Sequence, residues 1–205
     1  MASPVFFLLA GPNGAGKSTL YRASVADGLI PADIEFVNAD LYEAAVLQHI
    51  FDPVDRSDRA RLWADVRRNQ LLLLQKSFVS ETVFSHESKI ELIREAQNFG
   101  FTVVLLVVCV DNPSHLLDRV ARRVKEGGHY VPSTKILERY PRTIANLSIA
   151  VRLADLSIFF DTSAPAKTSA AAIQAPVQVA VCRSGSTRIL IEALPAWAKR
   201  VLQIP

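Results

Sequence analysis

Gly11-Pro12-Asn13-Gly14-Ala15-Gly16-Lys17-Ser18 is the stretch that decides how this chain folds. It fits the pattern G-x-x-x-x-G-K-[ST] and follows directly on the apolar run Val5 to Ala10. That context predicts a strand, a glycine-rich turn and a helix. Glycines let the backbone bend around a phosphate with its N–H groups turned inward. The helix beginning near Gly16 adds its positive dipole end. Lys17 is placed to reach the β- and γ-phosphates of a nucleotide, and the Ser18 hydroxyl to hold Mg²⁺. The expected ligand is ATP or GTP.

Working outward, the chain alternates short apolar runs with longer amphipathic ones, the pattern of an α/β domain with a parallel sheet. Strands are expected at 4–10, 34–39, 77–81, 101–110 and 156–161, and their Val, Leu, Ile and Phe content reads as burial on both faces. Helices are expected at 16–27, 41–51, 56–76, 86–98, 113–126 and 134–154. Within 56–76, Leu62, Val66, Asn69, Leu72 and Leu73 follow a helical stripe, with arginines elsewhere. Ser, Ala, Pro and Lys dominate 163–176, which reads as a surface linker. Val177 to Cys182 and Thr187 to Ala193, joined by Arg183-Ser184-Gly185-Ser186, read as a β-hairpin, and 195–203 as a short last helix. This tail is too short to bury a core of its own. The expectation is one three-layer α/β domain over 1–205, with a mainly parallel five-stranded sheet, a lid region at about 113–145 and a hairpin extension at about 177–193.

Composition narrows the classes. The 205 residues are half apolar, enough for one sizeable core. A net charge of +3 is too mild to argue for a nucleic-acid binder. Cys109 and Cys182 lie in separate apolar runs without metal-ligand neighbours, so both read as buried thiols in a reducing, cytoplasmic setting. Phe101 to Val110, the longest apolar run, is strand-sized, so no membrane segment is expected. Residues 2–10 lack a basic leader and run into the phosphate loop, so they read as the first strand.

Two carboxylates stand where strands end. Asp40 closes Phe36-Val37-Asn38-Ala39-Asp40 and should share a crevice with Lys17, because ligands of open α/β sheets sit at the carboxyl ends of the strands. There it can accept the proton of an attacking hydroxyl. The alternative is an N-cap for a helix starting at Leu41. Glu81, after Phe78-Val79-Ser80, is a candidate to hold Mg²⁺ through water or to bind a polar substrate; the alternative is a strand-end cap with Ser85. Asp111 is a weaker metal candidate, since Asp111-Asn112-Pro113 reads as a turn and cap. Downstream, Arg119, Arg122 and Arg123 fall within two turns of one helix, and Arg139 and Arg142 follow on another beyond Gly127-Gly128-His129. Such arginines suit a lid that neutralises a transferring phosphoryl group, since guanidinium is planar, always charged and bidentate toward phosphate. The alternative is a solvated basic face paired with Asp118 and Glu126.

The series Gly-Pro-Asn-Gly-Ala-Gly-Lys-Ser-Thr (11–19), Val-Asn-Ala-Asp (37–40), Ser-Glu-Thr (80–82), Arg119-Val120, Arg122-Arg123-Val124, Gly127-Gly128-His129, Val131-Pro132, and Arg139-Tyr140-Pro141 with Asn146-Leu147 resembles the zeta toxin family, and more closely its short bacterial zeta-toxin-like members. The resemblance spans about 4–162. It implies a P-loop kinase fold and Mg·ATP-dependent phosphorylation of a small-molecule hydroxyl, which in zeta toxins belongs to a UDP-amino sugar. It further implies Lys17 as the phosphate-loop lysine within a nucleotide set that runs through Thr19 and takes in Arg119. Asp40 becomes the base at the acceptor, Glu81 and Thr82 part of the acceptor-binding strand end with His129 beside it, and Arg123 and Arg139 the lid arginines. An antitoxin protein is the partner it brings. A second reading is a nucleotide-driven ATPase or switch acting on a protein partner, though neither an LSGGQ nor an NKxD motif is present. A nucleic-acid end kinase would need a basic groove that this charge does not supply.

Overall fold

The computed structural model describes residues 3–125, 131–163 and 176–204. The expected lid turn, with Gly127, Gly128 and His129, and most of the 163–176 linker lie outside the described residues. Seven strands form one sheet in the order β2-β3-β1-β4-β5-β6-β7. They are β1 (Val5–Ala10), β2 (Glu35–Val37), β3 (Phe78–Thr82), β4 (Thr102–Cys109), β5 (Leu156–Asp161), β6 (Val177–Arg183) and β7 (Ser186–Ile189). The first five are parallel. The hairpin enlarges the expected five-stranded sheet, because β6 pairs antiparallel with β5 from Leu156↔Arg183 to Asp161↔Val177. The helices are α1 (Lys17–Ala26), α2 (Ala39–Val46), α3 (Pro53–Leu73), α4 (Ser88–Asn98), α5 (Ser114–Lys125), α6 (Ser133–Leu153) and α7 (Ala196–Leu202).

Alternation along β3 shows that helices cover both faces. Ser80 meets Arg68 of α3, while its neighbour Glu81 meets Lys17 of α1. Successive strand side chains point to opposite faces, so α1 and α3 lie on opposite sides of the sheet. The right-handed crossover rule requires the same, since the β1–α1–β2 connection runs across the sheet in the opposite direction to the later ones. Central strands β1 and β4 are buried almost throughout, and Phe6 stacks on Phe78 with ring centroids 4.5 Å apart.

Two elements depart from the sequence reading. α2 begins at Ala39 and not Leu41, because Asn38 is the N-cap: its side chain accepts a hydrogen bond from the Leu41 N–H. Asp40 therefore sits in the first turn of a helix, not at a strand end, and does not cap it. The stripe on α3 holds only at Leu72. Leu62, Val66, Asn69 and Leu73 face solvent, and the buried side carries Ala60, Ala64, Arg68, Leu71 and Leu72. Arg68 is tolerated inside because it donates to Ser80 Oγ at 3.4 Å and pairs with Asp65.

Candidate phosphoryl-transfer site

The phosphate loop is shaped by contacts only glycine permits. A Cβ on Gly11 would lie 2.0 Å from the Val108 carbonyl oxygen, and one on Gly14 2.9 Å from the Leu116 carbonyl oxygen. The loop is tied to β3 by the Gly11 N–H donating to the Thr82 carbonyl at 3.3 Å, and closes on itself from the Ala15 N–H to the Pro12 carbonyl at 3.2 Å. No side chain caps the N-terminus of α1, so its first N–H groups are available to an anion. Ser18 is exposed in that first turn, while Thr19 is half-buried. Asn13 Oδ1 is buried without a hydrogen-bond partner among the described residues.

Lys17 is 6% exposed and its Nζ donates to the carbonyls of Gly11 and Pro12 at 3.0 and 3.1 Å. Glu81 Oε1 lies 3.7 Å from that nitrogen. Burial lowers the Lys17 pKa below its ordinary value; the charges of Glu81 and then Asp40 oppose the shift, and that of Arg123 adds to it. Those four side chains thus share one electrostatic environment. Asp40 itself is exposed, open to an incoming molecule. Glu81 is held from its other side, where Asn38 Nδ2 donates to Oε2 at 3.3 Å.

The remaining candidates separate. Arg119 donates to Thr162 Oγ1 at 3.0 Å and to the Thr162 carbonyl, and Thr162 Oγ1 in turn donates to the Ala15 carbonyl at 3.0 Å. It braces the loop from the end of β5. Arg139 is half-buried, whereas Arg122 and Arg142 are exposed on the outer faces of their helices, the solvated reading of that charge run. The Thr82 hydroxyl accepts the Phe84 N–H at 3.3 Å and so supports the turn after β3. α6 pins the same turn, with Thr143 Oγ1 on the Val83 carbonyl and Asn146 Nδ2 on the Phe84 carbonyl, both at 3.0 Å. Asn112 accepts the Ser114 N–H at 3.0 Å in a local turn, while Asp111 accepts the distant Trp197 N–H at 2.7 Å. Sequence reasoning passed over Asn38 and Thr162 as individual residues. Asn38 lies inside the quoted Val-Asn-Ala-Asp motif; Thr162 carries no local signal.

A metal would find a partial donor set. Among the described residues no three His, Cys, Asp or Glu side chains converge as a cage. Mg²⁺ fits such a place, because it keeps waters and takes one or two carboxylates together with substrate phosphates.

No protein-family model matches this chain, and no curated protein matches it by sequence. Solved structures do resemble it. The native AvrRxo1-ORF1:-ORF2 complex aligns with a TM-score of 0.69 at 18% identity, over 92% of this chain and 61% of that one. The AvrRxo1-ORF1:-ORF2 structure with ATP gives 0.62 at 18% identity, with the same two shares of 92% and 61%. A structure of the PezAT chromosomal toxin–antitoxin system of Streptococcus pneumoniae gives 0.59 at 18% identity, over 78% and 68%. The chain thus spans about 61% of the length of the AvrRxo1 chain it matches. These likenesses show that the chain shares the fold of those structures.

Proposed function

We propose that this chain is an ATP-dependent kinase that transfers the γ-phosphoryl group to a hydroxyl of a small molecule, with a UDP-amino sugar as the acceptor class. The observation that carries the reading is the phosphate loop itself: at the uncapped N-terminus of α1, Lys17 is buried with its Nζ on the Gly11 and Pro12 carbonyls and 3.7 Å from Glu81. The ATP complex of a structure with the same fold supports the nucleotide.

In this reading the loop N–H groups and Lys17 bind the β- and γ-phosphates. Asp40 takes the proton of the acceptor hydroxyl as its oxygen bonds to the γ-phosphorus, and the bond from that phosphorus to the β-phosphate oxygen breaks to leave ADP. Arg123 and Arg139 counter the charge on the moving group, and Arg119 holds the loop's shape through Thr162. Glu81 and Thr82 form the strand end on which the acceptor rests, with His129 assigned to the acceptor as well. Mg²⁺, held by Ser18 with help from Asp40 or Glu81, would neutralise charge on the bridging phosphate oxygens. An antitoxin-type protein is the macromolecular partner, supported by the likeness to the PezAT system.

The test is a substitution and a product search. Asp40→Asn should leave ATP affinity nearly intact and cut transfer by roughly 10²–10⁴-fold. Turnover at the wild-type rate would remove Asp40 from the chemistry. Incubation with Mg·ATP and a metabolite pool should yield an organic phosphate ester by mass spectrometry. ADP release without any ester would instead favour a nucleotide-driven switch.

A further inference from the structure

Asn38 joins three parts of the site through one amide. It follows β2, in extended backbone, and is 8% exposed. Its Oδ1 accepts the Leu41 N–H at 3.1 Å, which starts α2 and sets Asp40 in that helix's first turn. Its Nδ2 donates to Glu81 Oε2 at 3.3 Å, and the other oxygen of that carboxylate lies 3.7 Å from Lys17 Nζ. The amide orientation is fixed by its partners, because a backbone N–H needs the oxygen and a carboxylate needs the N–H.

Capping alone would not call for asparagine. Asp and Ser are equally good N-caps. An aspartate here would face Glu81 with a second carboxylate. A serine Oγ on the helix N–H sits one bond nearer the backbone than the Nδ2 that meets Glu81. Asparagine carries acceptor and donor on separate atoms, Oδ1 for the helix and Nδ2 for the carboxylate. We propose that Asn38 is a positioning residue: it aims Glu81 at Lys17 and registers Asp40 against the same phosphate loop, so that nucleotide binding and transfer depend on its amide N–H. This rests on the kinase reading for its effect on transfer, but not for its effect on nucleotide affinity.

The experiment is a double-mutant cycle of Asn38→Ser with Glu81→Gln, read in Mg·ATP affinity and in phosphate-ester formation. Asn38→Ser keeps the cap, so its melting temperature should stay near that of the wild type. It should weaken Mg·ATP binding and slow transfer by about 10-fold or more, the worth of a hydrogen bond to a charged group. In the Glu81→Gln background the same substitution should have little further effect. Equal losses in both backgrounds, or no loss in the wild type, would overturn the assignment. Coupling in affinity without any ester would sink the kinase reading and leave the role of Asn38 intact.

Discussion

Lys17 carries a cost that a nucleotide would remove. Its ammonium is buried against neutral carbonyls, with Glu81 alone among the described residues within ion-pair reach. Because its pKa in the fold lies below the unfolded value, the unfolded chain holds more protons between the two values, and stability rises with pH across that window. Phosphate oxygens beside the nitrogen would favour the charged form and raise the pKa again. ATP binding at alkaline pH should therefore be accompanied by proton uptake. Calorimetric titrations at about pH 9, in two buffers of different ionisation enthalpy, should reveal it, and Lys17→Met should abolish it. A binding heat identical in both buffers would mean that Lys17 takes up no proton when ATP binds. Cys109 is perturbed for a different reason: burial pushes its thiol up to about 12, so it belongs to the core and not to the chemistry.

At the scale of elements, α3 shows how a pattern can be read on the wrong face. Leu62, Val66 and Leu73 point outward, with Leu62 64% exposed, while Ala64 is 3% exposed. Burial of Ala64 should make Ala64→Leu destabilising by about 1–3 kcal/mol through overpacking. Leu62→Ala should stay within about 0.5 kcal/mol of the wild type. Urea midpoints of the two variants decide it; a larger loss for Leu62→Ala would mean that the outward stripe is covered. α2 is governed by a single side chain, since its cap at Asn38 shifts the helix start and carries Asp40 from strand end into helix.

Across the whole molecule, the C-terminal segment is wired to the edge that carries the phosphate loop. Trp197 is fully buried, its Nε1–H donates to Asp161 Oδ1 at 2.7 Å, and its backbone N–H donates to Asp111 Oδ1 at 2.7 Å. It packs on Phe159 with centroids 6.0 Å apart, and Asp161 directly precedes Thr162, which holds the Ala15 carbonyl. Trp197→Ala should cost about 3–5 kcal/mol and lower the melting temperature of the whole chain in one transition. An unchanged main transition would show that α7 contributes nothing to the sheet it rests on.

The amino-acid sequence by itself determined the strand–loop–helix unit at 5–26, the parallel order of long apolar strands and the presence of carboxylates and arginines downstream. Those features are local: a glycine pattern, a hydrophobic period and a turn residue act over a few positions. What the tertiary structure decided was which side chains meet. Glu81 and Ser80 are neighbours in the chain, yet they serve opposite faces of the sheet, one toward Lys17 and the other toward Arg68. Arg119 and Arg122 differ by a turn, yet one braces the phosphate loop and the other faces water. The joining of β6 to β5, and the meeting of Asn38 with Glu81 across 43 positions, are likewise non-local. Pairings between distant segments are set by packing the whole sheet against its helices, and no short-range pattern encodes them.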